Sequence, residues 1–391
     1  MPLLTAVPVP EIDLDLFGET SLRDPFADYR RLRDAGPLVK LRQPDLYAIG
    51  RFAEVQAALR AADSLVSGQG VGFSDAFNAP KGMNVLQSDG DLHRRLRAAV
   101  TKPLTPARLS QARGDLKALV AERIRALTGQ GWFDAMQRLA AFLPVEAVSH
   151  LVGLPEVGRE RMLEWAGAAF NVIGPRQEPG DLASLRDAFA FLSTLAPETV
   201  RDGSWAAELF GAAQSGKLSM TEAMAAISAY VIPSLDTTIL AKGLLLHNLA
   251  THADQWALLK ERPELIPSAV LEGVRHSSVL RWFSRVAVSD YAVGDHIVPE
   301  GSRVMLLYGC ANRDERRYEE PDRFDILRDA RDHLAWGTGP HMCAGMNLAR
   351  IEMEVLLEAL VEQDVDLSSG EAVKGTNSGL YGFASLAFRL D

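Results

Sequence analysis

Trp336-Gly337-Thr338-Gly339-Pro340-His341-Met342-Cys343-Ala344-Gly345 is the stretch on which the reading of this chain turns, because it sets one of only two cysteines inside a glycine-punctuated loop. Glycines at 337, 339 and 345 permit tight turns and let the backbone come close to a flat ligand, since glycine alone takes positive φ freely and has no side chain to clash. Beyond the loop, Leu348, Ile351, Val355, Leu356 and Ala359 recur at helical spacing and predict a helix that starts near Cys343. A helix N-terminus carries partial positive charge and favours a thiolate, so Cys343 is read as a soft anionic ligand suited to iron. An isolated cysteine is more often a small buried hydrophobe, and the pattern around this one sets it apart. A zinc site begun by His341 and Cys343 is the competing metal reading; structural zinc takes four Cys/His ligands, and no CxxC or second Cys/His cluster is present.

Bulk properties fit a globular enzyme. With 391 residues and 47% hydrophobic content the chain can bury a large core. Two cysteines, Cys310 and Cys343, offer no disulfide framework, and pairing them would consume the proposed ligand, which points to a reducing compartment. The opening Met-Pro-Leu-Leu-Thr-Ala-Val-Pro-Val-Pro lacks a basic run and is broken by prolines, so neither a signal peptide nor an anchor is expected and the protein is placed in the cytoplasm. A net charge of -10 argues against a nucleic-acid surface.

Along the chain the pattern is mostly helical, with strand-like pieces towards both ends. Asp24 to Arg33 reads as an N-capped amphipathic helix stopped by Ala35-Gly36-Pro37. Leu38 to Arg42, Leu46 to Ile49, Arg285 to Val288, Arg303 to Leu307 and Ser385 to Leu390 have strand composition. From about Pro103 to Leu271 nearly every apolar run has helical period.

One of these helices has special features. Ser219-x-x-Glu222 forms a plausible capping box, and the helix then runs about thirty residues with almost no charge, Asp236 being the lone carboxylate between Ala223 and Ala241. The length would suit a membrane span, but the Asp and the Pro favour a helix buried through a globular core. Pro233 removes a backbone donor and should open or kink the helix just before Ser234-Leu235-Asp236-Thr237-Thr238. Taken alone, Thr237 and Thr238 are better read as helix residues bonding the carbonyls four residues back, a common use of buried Thr. Further on, Glu272-Gly273-Val274-Arg275 puts opposite charges three residues apart on one helix face, most often a weak surface pair.

The Cys343 loop resembles the haem-binding loop of cytochromes P450, in which an aromatic, Gly-x-Gly-x-His/Arg-x-Cys-x-Gly series carries the axial thiolate; Trp336 stands where most members have Phe. Asp236-Thr237-Thr238 resembles the acid-alcohol pair of that family's oxygen-activating helix, and Glu272-x-x-Arg275 its buried structural pair, tied to a later segment that Pro321-Asp322-Arg323-Phe324-Asp325 with Arg328 resembles. The resemblance implies a single-domain cytochrome P450 fold, mainly α with small β-sheets, over 1–391, with 1–23 an N-terminal extension packing on it. It implies haem b (iron protoporphyrin IX) bound through Cys343, with Trp336, Gly337 and Gly345 shaping the loop. His93, Arg97, Arg285 and His341 would face the propionates, and a partly buried carboxylate needs such partners. Asp236 and Thr237 would relay protons during oxygen activation, Thr237 by hydrogen bonding the distal oxygen and Asp236 by connecting to water. Glu272, Arg275 and Arg323 would be structural. Arg94, Arg95, Lys102 and Arg350 could form a basic patch for an acidic electron donor.

More narrowly, Asp24-Pro25 to Gly36-Pro37, Gly70-Val71-Gly72-Phe73-Ser74-Asp75, Phe170-Asn171 and Gly174-Pro175 resemble the bacterial group that O-demethylates para-methoxybenzoates. By that resemblance Phe73, Phe170, Ile173, Leu235 and Phe283 would line an apolar slot above the iron, with Val231 and Ile232 near its edge. At its polar end the group has an Arg before the Gly-Val-Gly run and an Arg-Ser pair, where this chain has Gln69 and Ser228-Ala229. A buried carboxylate without a cation is costly, so a neutral or weakly polar aromatic substrate is expected, hydroxylated or O-dealkylated with O2. Electrons would come from a [2Fe-2S] or similar ferredoxin with a separate NAD(P)H reductase, to a monomeric protein with no membrane or nucleic-acid partner. A peroxide-driven or otherwise non-O2-activating haem-thiolate enzyme, an oxidase of a terpenoid or other secondary metabolite, and a haem-free scaffold are the alternatives; intact Asp236-Thr237 weighs against the first and Cys343 against the last.

Overall fold

Leu46–Ile49 and Arg303–Leu307 lie about 250 residues apart and yet run side by side as parallel strands, Tyr47 opposite Val304 and Ile49 opposite Leu306. Both strands are buried along nearly their whole length, and neither can cover its apolar residues alone. Around this pair a six-stranded sheet forms in the order Glu11–Ile12, Val39–Leu41, Leu46–Ile49, Arg303–Leu307, Trp282–Ala287, Leu65–Val66. Leu367–Lys374, Phe383–Leu390 and Phe133–Asp134 make a three-stranded sheet, and Tyr291–Val293 pairs with His296–Val298. The computed structural model describes residues 7–78, 84–156, 161–175 and 178–391.

Helices make up the remainder, so the architecture is mainly α with small sheets. Phe26–Ala35 is helical as its pattern predicts, but Pro25 occupies the N-cap position and Asp24 acts from one residue earlier, its carboxylate accepting from Phe26 N at 3.3 Å. In the N-terminal stretch, residues 1–6 lie outside the described residues; Leu14, Leu16 and Phe17 are buried in the main core.

The long apolar helix divides where Pro233 requires. Met220–Val231 begins with the complete capping box, Ser219 Oγ accepting from Glu222 N and Glu222 returning the bond to Ser219 N. Residues 232–235 interrupt the helix, although Ile232 and Leu235 keep right-handed helical dihedrals, and Asp236–Thr251 resumes it. Met220–Thr251 is apolar and long enough to cross a membrane by length and composition. Here it runs through the interior, and Lys242 within it is itself buried in an ion pair with Glu352, Nζ to Oε2 2.7 Å.

Between Ala311 and Met346 the chain has no strand and only irregular turns. Its polar backbone must therefore be satisfied by side chains, and the Glu272-x-x-Arg275 pair does much of this. Both residues are fully buried: Arg275 Nε and Nη2 donate to the two Glu272 oxygens at 2.7 and 2.8 Å, while Nη1 donates to the carbonyls of Asn312 and Pro321. Glu272 Oε1 also accepts from Asp325 N and from Arg328 Nε. Arg323 contributes its carbonyl, 3.4 Å from Arg275 Nη2, rather than its side chain, which turns to the surface and Glu320. The expectation for its side chain is corrected accordingly: Arg328 is the third charged member, its Nε lying 3.3 Å from Glu272 Oε1.

Removing one member of this buried pair leaves the other charge uncompensated. Arg275→Met is expected to cost about 3–5 kcal/mol, read as a lower midpoint in urea unfolding, whereas Arg323→Ala leaves the midpoint unchanged.

Candidate functional site

Cys343 occupies a loop whose geometry is set by its glycines. Gly337 and Gly339 take φ of 67° and 72°, values that side chains other than glycine rarely adopt. A Cβ on Gly339 would also lie 2.7 Å from the Leu59 carbonyl oxygen, so the loop packs directly on the end of the helix Phe52–Arg60. Cys343 N donates to Trp336 O at 2.8 Å and closes the loop, and Gly345 caps the helix Met346–Glu362. The Trp336 ring, centred 4.8 Å from the buried His333 ring, is held from behind.

Cys343 is solvent-accessible as a residue, while the protein packed around its sulfur desolvates the thiol. Burial pushes its thiol up, while the N–H groups of Gly345 and Met346 and the Arg97 charge pull it down. Sequence reasoning names the helix terminus correctly but omits the desolvation, which outweighs it. Among the described residues, no group of three or more His, Cys, Asp and Glu side chains is gathered that could hold a metal ion.

Does the surrounding set fit a haem? Its carboxylates would need donors, and the structure holds several with no carboxylate of their own. His93 Nε2 is buried without a hydrogen-bond partner. Burial, then the nearby His341 and Arg97, push the His93 imidazole down to about 4. Arg97 is half-buried, and burial lowers its guanidinium, the Cys343 sulfur alone opposing. Arg285 is buried and donates only to Ser284 O and the Tyr308 hydroxyl. His341 lies 4.2 Å from His93 ring to ring and 3.6 Å from Asp89 Oδ1, with Asp89 held by Ser67 N and Gly68 N. A Cβ on half-buried Gly345 would meet nothing within 4 Å, so the loop leaves room beside the sulfur. A partner-free His93 Nε2 among the described residues, with the Arg97 and Arg285 guanidiniums free of any carboxylate there, is a donor set that fits a flat dianionic ligand.

On the opposite side the interrupted helix supplies a carboxyl and hydroxyls. Thr237 Oγ1 donates to Pro233 O at 2.8 Å, and Ser234 Oγ donates to Tyr230 O. The hydroxyls thus satisfy carbonyls that the break would leave bare, and Thr237 keeps its lone pairs free to accept. Asp236 has no hydrogen bond or ion pair among the described residues, and burial alone pushes its carboxyl up to about 7.

Beyond this break lies an apolar cavity of 720 Å³. Phe170, Ile173, Ser228, Ile232 and Phe283 line it, as the sequence predicts. Gln69, Phe73 and Leu235 do not: Gln69 is exposed, Leu235 is fully buried in the core, and Phe73 packs on Phe17 and Trp282. Sequence reasoning missed Phe77, Val85, Phe189, Leu192 and Met224 on the wall. For Met224 the signal was available, since Thr221, Met224, Ala225, Ser228 and Ile232 form one face at helical spacing. No Lys, Arg, Asp or Glu lines the cavity among the described residues. Ser228 Oγ donates to Ala225 O at 2.9 Å, so it offers the cavity an acceptor.

The expected basic patch is largely neutralised. Arg94 pairs with Asp91, Arg95 with Glu222, Lys102 with Glu208 and Arg350 with Glu354.

Comparison with known proteins agrees with this geometry. The family model described as Cytochrome P450 matches residues 254–383. Cytochrome p450 CYP199A2 of Rhodopseudomonas palustris is 32% identical over 392 residues, covering 98% of this chain and 95% of that protein. The beta-dihydromenaquinone-9 omega-hydroxylase of Mycobacterium bovis is 30% identical over 358 residues, 89% of this chain and 72% of that protein. The solved structure of epothilone D-bound cytochrome P450epoK superposes with a TM-score of 0.88 at 26% identity, covering 97% of this chain and 99% of that one.

Asp236 also makes a prediction about stability. Its carboxyl titrates higher in the folded chain than its ordinary 3.8, so the native state holds a proton that the unfolded chain has released, and stability falls as pH rises from about 4 to about 7. Asp236→Asn removes that slope. Relative to wild type it is expected to gain roughly 2–4 kcal/mol between pH 4 and pH 8, measured by urea unfolding across that range.

Proposed function

Because the chain belongs to the cytochrome P450 family, whose members are haem-thiolate monooxygenases that use O2 and redox partners, we propose that it oxidises a neutral, largely apolar aromatic substrate by hydroxylation or O-dealkylation. The observation that carries this is the cavity wall, built of apolar side chains with only neutral polar groups such as Ser228, Thr221 and Asn84. An ionised carboxylate transferred there would find no cation among the described residues, at a cost of several kcal/mol. Kinship with the para-methoxybenzoate O-demethylating group rests on the Gly70-Val71-Gly72-Phe73 run and its neighbours; at the cavity's polar end this chain departs from that group.

Haem b, held through Cys343, supplies when bound the iron at which O2 is reduced with two electrons and two protons, one oxygen atom going to the substrate and the other to water. In this reading Cys343, presented by its glycine loop, would hold the iron through its sulfur. His93, Arg97, Arg285 and His341 bind and orient the propionates, the unpartnered His93 Nε2 gaining its missing partner. Thr237 accepts or donates one hydrogen bond at the oxygen side, with its proton otherwise resting on Pro233 O. Asp236, with a carboxyl near neutrality, can both hold and release a proton at its Oδ atoms in the physiological range. Phe170, Ile173, Ile232 and Phe283 exclude water and hold the substrate ring. Electrons arrive from a ferredoxin with a separate reductase, and since the nearby cations already have carboxylate partners, docking depends little on bulk charge attraction.

A second reading is favoured by the cavity's size. A cavity of about 150 Å³ is enough for a single benzene ring, and this one has 720 Å³. A multi-ring terpenoid or other secondary metabolite would fill it better, and the same fold carries epothilone D in a solved structure.

Titration of the haem-loaded protein with matched neutral phenols, para-substituted benzoates and multi-ring neutral compounds separates these readings. Type-I spin shifts are expected with the neutral series, and the multi-ring members bind tightest if the second reading holds; large shifts from benzoates alone would refute both. Cys343→Ser is expected to abolish the red-shifted Soret band of the reduced carbon monoxide complex, while far-UV dichroism stays helical.

A further inference from the structure

The helix Met162–Val172 carries a glycine in its interior, where alanine is the better helix former. A Cβ built on Gly167 would meet one atom outside its own helix within 4 Å, and that atom is Asp236 Oδ2 at 3.1 Å. The glycine cannot retreat easily, because its carbonyl accepts from Asn377 Nδ2 at 3.0 Å on the loop that follows Lys374. A side chain at 167 would therefore be relieved by movement of the carboxyl.

Charge does not hold this carboxyl in place. On the helix Met162–Val172, Glu164 is exposed and engaged with Arg161 and Ser184. The loop 375–379 contains no ionisable residue, and Lys374 beside it donates to the Tyr381 hydroxyl. On its own helix, the nearest cation is Lys242, consumed by Glu352. Shape is what remains.

We propose that Gly167 is a positioning residue for proton delivery: its absent side chain forms the notch in which the Asp236 carboxyl rests, in register with Thr237. This rests on the reading of Asp236 as a proton carrier. The notch also explains how a carboxyl with no cation partner keeps one orientation next to a broken helix turn. Its surroundings leave it with a carboxyl near neutrality, so a small displacement towards water or towards the core would alter its protonation.

The test uses the haem-loaded protein with a plant-type [2Fe-2S] ferredoxin and its reductase, comparing wild type, G167A, D236N and the double variant. G167A is expected to keep haem content and the Kd of the best-binding panel compound within twofold. It should release at least fivefold more hydrogen peroxide per product formed and move the pH midpoint of turnover by at least half a unit. On the D236N background the same alanine should change neither quantity. Unaltered coupling in G167A, or an equal loss on both backgrounds, would overturn the notch. Should D236N itself leave coupling and pH profile untouched, the proton-carrier reading of Asp236 fails and the positioning role falls with it. The geometry of the notch is judged separately by thermal unfolding: alanine at 167 should raise Tm by more in an Asp236→Ala protein, where the carboxyl is gone, than in wild type. Equal shifts in the two would show that the carboxyl never occupied the notch.

Discussion

The Glu272–Arg275 pair is the interaction on which the site depends most. Without helix or strand between Ala311 and Met346, the chain has no hydrogen-bond ladder to fix it, and the loop that presents Cys343 lies at the end of that stretch. Arg275 can anchor it because a planar guanidinium has five donors, enough to hold Glu272 at two points and still reach the carbonyls of Asn312 and Pro321. Lysine would supply neither the fork nor the count. The carboxylate in turn takes Asp325 N and Arg328, so both charges are satisfied in the interior, and desolvating them is tolerable only for that reason. The contacts continue downstream, where Asn312 Oδ1 accepts from Leu334 N, close to the start of the glycine loop.

What was legible in the sequence follows from how local its cause is. The Cys343 loop, the capping box at Ser219 and the helix break at Pro233 each arise within a few residues, from glycine dihedrals, side-chain capping and a missing N–H. All three stand in the structure as the residues imply. Pairing of Leu46–Ile49 with Arg303–Leu307 was not legible, because strand composition fixes neither partner nor register across 250 residues. The same limit applies to Phe73 and Leu235. Both are apolar and adjacent in sequence to site residues, but period and composition cannot say whether an apolar side chain faces a cavity or a neighbouring ring. Phe73 found Phe17 and Trp282 instead. Gln69 failed differently: one residue before a glycine with φ of 101°, its direction depends on a turn whose shape only the fold determines.

Two opposite treatments of charge divide the site. On the cysteine side, His93 Nε2 is buried without a partner among the described residues and the Arg97 and Arg285 guanidiniums have no carboxylate there, an arrangement that an anionic ligand would complete. On the other side, among the described residues, the carboxyl of Asp236 stands alone and the cavity wall carries no charge. Desolvation acts on both, but in opposite senses: it prepares one region to receive negative charge and keeps the other from holding any. The raised carboxyl of Asp236 and the apolar cavity wall both follow from exclusion of water on this side.

These two sides must also keep a fixed separation, and Lys242 with Glu352 offers a physical reason why they do. Lys242 lies on the helix that begins at Asp236, and Glu352 on the helix that follows Cys343. Both charges are almost wholly buried at 2.7 Å, so sliding one helix along the other would separate them in a medium where neither can be rehydrated. Apolar packing alone resists such sliding poorly, since a leucine displaced by one position finds another leucine. An ion pair has one register. The pair is costly to bury, and well-packed apolar residues in its place are often as stabilising or more so; what it adds is a unique setting of the helix that begins at Asp236 against the helix that follows Cys343.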